Sequence, residues 1–330
     1  MHLIMSEKVR WGILSTAKIA VTKVVPAMQL SPWCEITAIA SRDLAKAKRV
    51  ASELHIPNAY GSYEELLADS AVEVVYNPLP NHLHVPWTVK AAEAGKHVLC
   101  EKPIALNAAE ARTLIEVRDR TGVRIQEAFM VRTHPQWLAT RNLIRAGRIG
   151  SLRSITGFFS YFNSDPANIR NQLQLGGGAL MDIGCYPITI SRFMFETEPR
   201  RVLGIIERDP VSGTDTLTTA VLDFPHGHST FTCSTRLDPY QRMIFFGTEG
   251  RIEVPIPFNA PNDQPAQILL NDETIEFPVC DQYEIQGSLF SQALRENREQ
   301  PIPLEDAIAN MVVIDAVFRS ATTGQWEEIQ

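Results

Sequence analysis

The sequence predicts an α/β chain in two parts: a doubly wound parallel sheet first, then an α+β part with an open, mostly antiparallel sheet. Three observations predict it. Short β-branched runs alternate with longer helical patterns through the first third of the chain, as repeated parallel β-α-β units require. Strand-rich text broken by hairpin turn signals fills the middle. The length, 330 residues, suits two domains better than one. The division falls at 1–128 and 129–330, with a closing helical pattern at 305–320 free to pack back on the first part.

The run Val9 to Leu14 reads as the opening strand and leads into a helical pattern from Ala17 to Leu30. Strand and helix then alternate: Glu35 to Ala40, Leu44 to Leu54, a helix at Tyr63 to Ala68, a strand at Val72 to Tyr76, a helix at Val85 to Ala94, a strand at His97 to Cys100, a helix at Ala108 to Thr121 and a strand at Val123 to Phe129. A helix from Gln136 to Ala146 stops at Gly147. Strands follow at Leu152 to Tyr161, Arg201 to Glu207, Thr216 to Phe224, Ser229 to Arg236, Met243 to Gly247 and Arg251 to Val254, with Pro225-His226-Gly227 among the turns. Helical patterns at Tyr283 to Arg295 and Glu305 to Ser320 close the chain.

Composition removes several function classes. With 31 basic and 38 acidic residues the formal charge is -7, which gives no general attraction to nucleic acid or anionic lipid. The five cysteines are scattered and form no C-x-x-C pair, so a reducing, cytoplasmic setting is expected and a zinc or disulfide framework is not. Met1 to Met5 holds too few apolar residues for a signal-peptide core, and no stretch reaches the roughly 20 apolar residues that span a bilayer.

Ligands on a doubly wound sheet bind beyond the carboxyl ends of its strands, so the residues there carry the functional reading. Ser15-Thr16-Ala17-Lys18-Ile19 stands where a dinucleotide-binding fold places its glycine-rich turn. Ser15 and Ala17 are small enough to let backbone N–H groups approach a pyrophosphate, although a plain strand-to-helix turn has the same text. The second strand ends in Ser41-Arg42 and not in an acidic residue. An arginine there suits a ribose 2'-phosphate, with Ser41 as a further donor; the alternative is a solvated arginine opening the next helix. Tyr76-Asn77-Pro78-Leu79-Pro80-Asn81-His82-Leu83-His84 is a stiff loop placed to line a nicotinamide ribose. His82 and His84 could instead ligate a metal, but no carboxylate or thiol stands at a spacing that completes a site, and no metal is expected.

Glu101-Lys102-Pro103 follows the strand His97 to Cys100 and places a lysine at the crevice, where it can polarise an oxygen or lower the pKa of a nearby acid. A lone lysine is ordinarily a solvated residue, so this one needs a partner. Gly176-Gly177-Gly178 leads into a helical pattern with Asp182 and Tyr186 four residues apart, on one helix face. A phenol titrates near pH ~10 and becomes a useful acid and base at neutral pH only beside a cation, which Lys102 can supply. A glycine loop with a buried tyrosine and a capping aspartate is the plainer reading.

Arg10-Trp11-Gly12-Ile13-Leu14-Ser15-Thr16-Ala17, Leu79-Pro80-Asn81-His82, Glu101-Lys102-Pro103 and Gly178-Ala179-Leu180-Met181-Asp182-Ile183-Gly184-Cys185-Tyr186 occur in order along the chain. In this the sequence resembles the Gfo/Idh/MocA family of NAD(P)-dependent oxidoreductases over nearly its whole length. It looks most like the NADP-dependent xylose and dimeric dihydrodiol dehydrogenases of that family. The resemblance implies an N-terminal Rossmann domain, NADP(H) preferred over NAD(H), and catalysis by Lys102, Asp182 and Tyr186. It implies cofactor contacts from Ser15 to Ile19, Ser41, Arg42, Pro78 to Asn81, His84, Glu101 and Lys102. Arg132, His134, Phe162, Asn163, Asn168 and Arg170 join Tyr186 as substrate contacts in a crevice between the two parts. It implies a homodimer or homotetramer formed through the second sheet. Ser15 and Ala17 depart from the common G-x-G turn, and Tyr186 stands where the inositol and glucose-fructose members carry histidine. The reaction expected is hydride transfer between nicotinamide and a secondary alcohol of a sugar or vicinal diol. A keto-sugar reductase, and a non-catalytic NADP-sensing regulator, are the alternatives.

Overall fold

Strands with apolar residues on both faces build a sheet that must be covered on both sides, and the first third of the chain supplies them. The computed structural model describes residues 7–329; the Met1 to Met5 run lies outside them. The first unit lays down β1 (Val9–Leu14), α1 (Val25–Gln29), β2 (Cys34–Ala40), α2 (Leu44–Glu53), β3 (Asn58–Tyr60), α3 (Tyr63–Ala68), β4 (Val74–Asn77), α4 (His84–Glu93), β5 (His97–Cys100), α5 (Ala108–Thr121) and β6 (Ile125–Glu127). The strands pair in the order β3-β2-β1-β4-β5-β6, every pair parallel. This is the doubly wound order whose direction reverses between β1 and β4, the place where such sheets hold ligands.

The second unit begins with α6 (Pro135–Arg145) and carries β7 (Leu152–Phe162), α7 (Cys185–Phe195), β8 (Arg201–Arg208), β9 (Asp215–Phe224), β10 (Gly227–Ser234), β11 (Arg236–Gly247), β12 (Arg251–Val254), β13 (Ala266–Leu270) and β14 (Glu273–Phe277). Then α8 (Gln282–Arg295) rejoins the first unit, and α9 (Leu304–Thr323) and β15 (Glu327–Glu328) end the described chain. The nine-stranded sheet runs β14-β13-β12-β11-β7-β10-β9-β8-β15; β7 and β10 pair in parallel and the other pairs are antiparallel. Alternate residues of β9 are buried, as a sheet with one covered face requires. Its cover is α7, buried along its length. Close approach depends on two glycines: a Cβ at Gly184 would stand 2.8 Å from Cys233 Sγ, and one at Gly157 would stand 3.1 Å from Pro187 Cβ.

The sequence reading left out β3, β13, β14 and β15. Each is short and lies at or near a sheet edge. The β13–β14 hairpin turns on Asn271-Asp272, with Asn271 at φ 55°, a turn asparagine supports. Two helices expected to be regular begin with a wide π turn, Ala20–Val24 and Leu180–Gly184. A proline follows each within three residues, Pro26 and Pro187. Proline cannot donate to the helical ladder, and the wider turn moves the register past that missing donor.

The core of the first unit forms around Trp11, Ile13, Ile39, Tyr76, Leu99 and Phe290. Phe290, on α8, lies 5.4 Å from the Trp11 ring centroid, and the Trp11 indole donates to Ser291 Oγ at 3.0 Å. Arg295, at the end of α8, donates to both carboxylate oxygens of Glu73 at 2.8 Å. Phe290→Ala should therefore cost the first unit about 3–5 kcal/mol, read as a drop in its denaturant midpoint; a midpoint within error of the parent's would show that α8 is no part of this core.

Candidate active site

Four strand ends of the first unit carry the residues singled out from the sequence. After β1, Ser15 takes φ 105°, a left-handed conformation that glycine ordinarily supplies. Its amide donates to Ala40 O at 3.1 Å and its hydroxyl accepts from Ala17 N at 3.1 Å. The chain thus reproduces the glycine turn with a serine that stabilises it from within. Thr16 and Ile19 are half-buried and Lys18 is exposed. After β2, Ser41 is buried and accepts from Asp43 N at 3.2 Å. Asp43 caps α2 by accepting from Lys46 N, and the exposed Arg42 lies by the Tyr63 phenol, whose pKa burial raises against the opposing pull of the Arg42 charge.

After β4, the buried Asn77 side chain accepts from Leu79 N at 3.3 Å and donates to His84 O at 3.0 Å. Pro78 and Leu79 are buried, Pro80 and Asn81 half-buried. The His84 ring is buried, with Nε2 2.6 Å from Leu79 O and Nδ1 2.8 Å from Pro103 O. Burial outweighs those two carbonyls and, with the Lys102 charge, pulls the ring down to about 4. Both ring nitrogens face backbone, which leaves no metal-ligating nitrogen. Among the described residues no group of three or more His, Cys, Asp or Glu is placed to hold a metal ion.

After β5 stands Glu101-Lys102-Pro103, with Lys102 half-buried and the Lys102–Pro103 peptide bond cis. Glu101 accepts from the buried Tyr76 phenol at 2.5 Å and from Lys102 N at 3.3 Å. Burial, and then the Glu101 carboxylate, push the Tyr76 phenol well above its ordinary range. The buried Glu127 accepts from Ile104 N at 2.8 Å. Two carboxylates therefore flank the lysine turn, both held by neighbours. Arg132 pairs with Asp306 at 2.5 Å.

In the second unit Tyr186 lies in the first turn of α7, and its ring is buried against Phe159 at 5.7 Å and Phe258 at 5.1 Å. Asp182, in the preceding wide turn, accepts at Oδ2 from the Tyr161 hydroxyl at 2.6 Å and from Arg170 Nε at 2.8 Å. The Asp182 charge raises the Arg170 pKa above its usual range; Tyr161 and Tyr186 add to the effect. Arg170, Asp182, Tyr161 and Tyr186 are thus one electrostatic cluster. Asn168 accepts from Arg170 N at 3.1 Å, and Asn163 accepts from Asp165 N and Asn171 Nδ2, so both asparagines shape the segment that carries Arg170. Phe162 is exposed. His134 caps α6 through Nδ1, which accepts from Gln136 N, and its Nε2 lies 3.5 Å from Cys280 Sγ.

Asp215 was missed from the sequence. It is buried, and Oδ2 accepts from Leu180 N at 2.6 Å and Thr218 Oγ1 at 3.0 Å. Gly178, at φ 127°, makes room for it: a Cβ there would lie 1.9 Å from Asp215 Oδ1. Burial raises the carboxyl pKa against those donors. The same glycine run that marked the tyrosine helix held the signal, since a residue without a Cβ lets a neighbouring side chain approach the backbone. Tyr161, Tyr76, Phe159 and Phe258 were missed as ordinary core aromatics.

The first unit's rim fits a nicotinamide dinucleotide. Ser15 supplies the tight turn, Arg42 follows β2 with the neighbouring Asp43 turned to α2, and the Leu79 to Asn81 loop and Lys102 follow β4 and β5.

Comparison with known proteins agrees with this geometry. The Gfo/Idh/MocA description "Oxidoreductase family, NAD-binding Rossmann fold" matches residues 9–129, and "GFO/IDH/MocA C-terminal domain" matches residues 137–253. An "Uncharacterized oxidoreductase ORF334" of Rhizobium meliloti is 47% identical, covering 97% of this chain and 99% of its own. A D-xylose 1-dehydrogenase (NADP(+)) of Haloferax volcanii is 37% identical, covering 97% of this chain and 99% of its own. The structure of a 3-ketoreductase from Actinomadura kijaniata, solved with NADP and TDP-benzene, aligns with a TM-score of 0.89 at 30% identity, covering 95% of this chain and 98% of that one.

Removing the Asp215 carboxylate would leave the Leu180 amide buried without its acceptor. Asp215→Ala is expected to destabilise the second unit by about 1–3 kcal/mol, measured by chemical denaturation; a loss below about 0.5 kcal/mol would mean that the cap does not hold the Tyr186 helix.

Proposed function

We propose that this chain, which belongs to the Gfo/Idh/MocA family of oxidoreductases, is an NADP(H)-dependent sugar oxidoreductase in which Tyr186 exchanges the alcohol proton and Lys102 supplies the cation. The observation that carries the reading is Lys102 at the rim of a parallel sheet, in a chain whose second unit holds Tyr186 buried between two phenylalanines within the charge field of an Arg170–Asp182 pair. Relatives named as a D-xylose 1-dehydrogenase (NADP(+)) and a 3-ketoreductase support it.

Bound nicotinamide supplies the hydride acceptor or donor, and the chain supplies position and charge. Tyr186 takes the proton from the carbinol oxygen on oxidation and returns it on reduction. An ammonium at Lys102 stabilises the phenolate and the negative charge that develops on the substrate oxygen. Asp182, held by Tyr161 and Arg170, orients a sugar hydroxyl. Arg42, always charged and free of a carboxylate at its strand end, receives the 2'-phosphate that separates NADP from NAD.

The direction of the reaction gives a second reading of the same residues, reduction of a keto-sugar, favoured by the 3-ketoreductase likeness. We also infer self-association through the sheet face turned away from α7, where Ile205, Tyr240 and Phe246 are exposed; light scattering is expected to return at least twice the mass of one chain, and a mass of one chain would overturn this.

The deciding experiment follows reduced nicotinamide by absorbance, with NADP+ or NAD+ and a panel of aldoses, deoxysugars and vicinal diols. Parent protein should give a signal with NADP+ and an aldose; Tyr186→Phe should lower turnover by about 100-fold or more while NADPH still binds, and Arg42→Ala should weaken NADPH more than NADH. Undiminished turnover in Tyr186→Phe would sink the assignment.

A further inference from the structure

The first unit keeps its cofactor-side loop and its lysine turn on different strands, β4 and β5, and one side chain touches both. His84 opens α4. Its Nε2 lies 2.6 Å from the carbonyl of Leu79, in the loop after β4, and its Nδ1 lies 2.8 Å from the carbonyl of Pro103, next to Lys102 after β5. The ring is 1% exposed. The neighbours of this bridge are fixed as well: Asn77 holds His84 O and Leu79 N, and Glu127 holds Ile104 N.

We propose that His84 is a positioning residue that sets the spacing between the Leu79 to Asn81 loop and the Lys102 turn, so that the two are placed as one piece. This rests on the catalytic reading of Lys102 given above. The geometry carries it. Adjacent parallel strands fix the backbone as far as Asn77 and Glu101, whose amide donates to Asn77 O at 3.0 Å; beyond those residues the two loops share no ladder, and a buried ring between the carbonyls of Leu79 and Pro103 links them. Burial, with the Lys102 charge facing the ring, favours its neutral form. A neutral imidazole has one N–H, so it donates to one of the two carbonyls at a time. The ring therefore acts as a spacer as well as a donor between the two loops. A displacement near 1 Å can cost about 100-fold in rate, which is the scale on which such a spacer matters.

The test compares the parent, His84→Phe and His84→Gln as full-length proteins. In hydrogen–deuterium exchange without ligand, His84→Phe should raise exchange about 10-fold in peptides over 79–83 and over 103–107 together, with β4 and β5 still protected. NADPH titration by fluorescence should show weaker binding by several-fold, and turnover should fall about 10-fold or more with a smaller change in the sugar KM. His84→Gln, which retains a donor, should recover part of each loss, and it serves for all measurements if the phenylalanine variant does not fold. Faster exchange in only one segment, in neither, or spread through β4 and β5 would overturn the proposal, as would parental turnover in His84→Phe. Tyr186→Phe and Lys102→Ala are measured beside these variants. If both keep turnover, the catalytic reading fails, and the exchange result still decides whether His84 couples the loops.

Discussion

Parallel pairing obliges β1 to β6 to finish on one edge of the sheet, and what the first unit offers a ligand hangs from that edge. The constraint is topological before it is chemical. Because the strand order reverses between β1 and β4, the helices that follow those strands diverge to opposite faces and leave their first residues uncovered. Ser15, Arg42, Asn81 and Lys102 come from distant parts of the chain, yet each lies within four residues of a strand's carboxyl end. Sequence distance among them carries no meaning; position relative to a strand end carries all of it.

In the second unit the equivalent task falls to one helix on a sheet. Burying α7 along its length requires that its polar start be satisfied inside the protein, and Asp215 does this from β9. Asp182 meets the same demand by pairing with Arg170 while accepting from Tyr161. A half-buried ion pair of this kind contributes little net stability. What such a pair does supply is a fixed local field, and Tyr186 lies within it.

The alternation of strand and helix was readable because parallel strands buried on both faces have a distinctive apolar text, and the rim residues followed from knowing where each strand stops. Fine structure was less legible. The wide turns at Ala20–Val24 and Leu180–Gly184 were written in Pro26 and Pro187, but a proline in a helix's early turns is commonly tolerated without one. Asp215 was hidden because a lone aspartate in a strand-rich segment looks solvated until the glycine opposite it is known to have positive φ. His84 was read as a ligand contact, while its ring is occupied by two backbone carbonyls; no one-dimensional pattern tells a histidine that faces outward from one that faces its own chain.

The first unit is assembled from the chain up to Ala105, from Ala109–Thr133 and from Asp281–Ala307, so the polypeptide leaves it and returns before the unit is complete. Synthesis from the ribosome therefore presents β1 to β6 long before Phe290 and Ser291 emerge to cover Trp11. Until then α1 and α2 give that face of the sheet only part of its apolar cover, a natural point of engagement for a chaperone. No single cut in the gene releases this unit whole, and a fragment ending near Thr133 would carry the nucleotide-binding text without the helix that seals it.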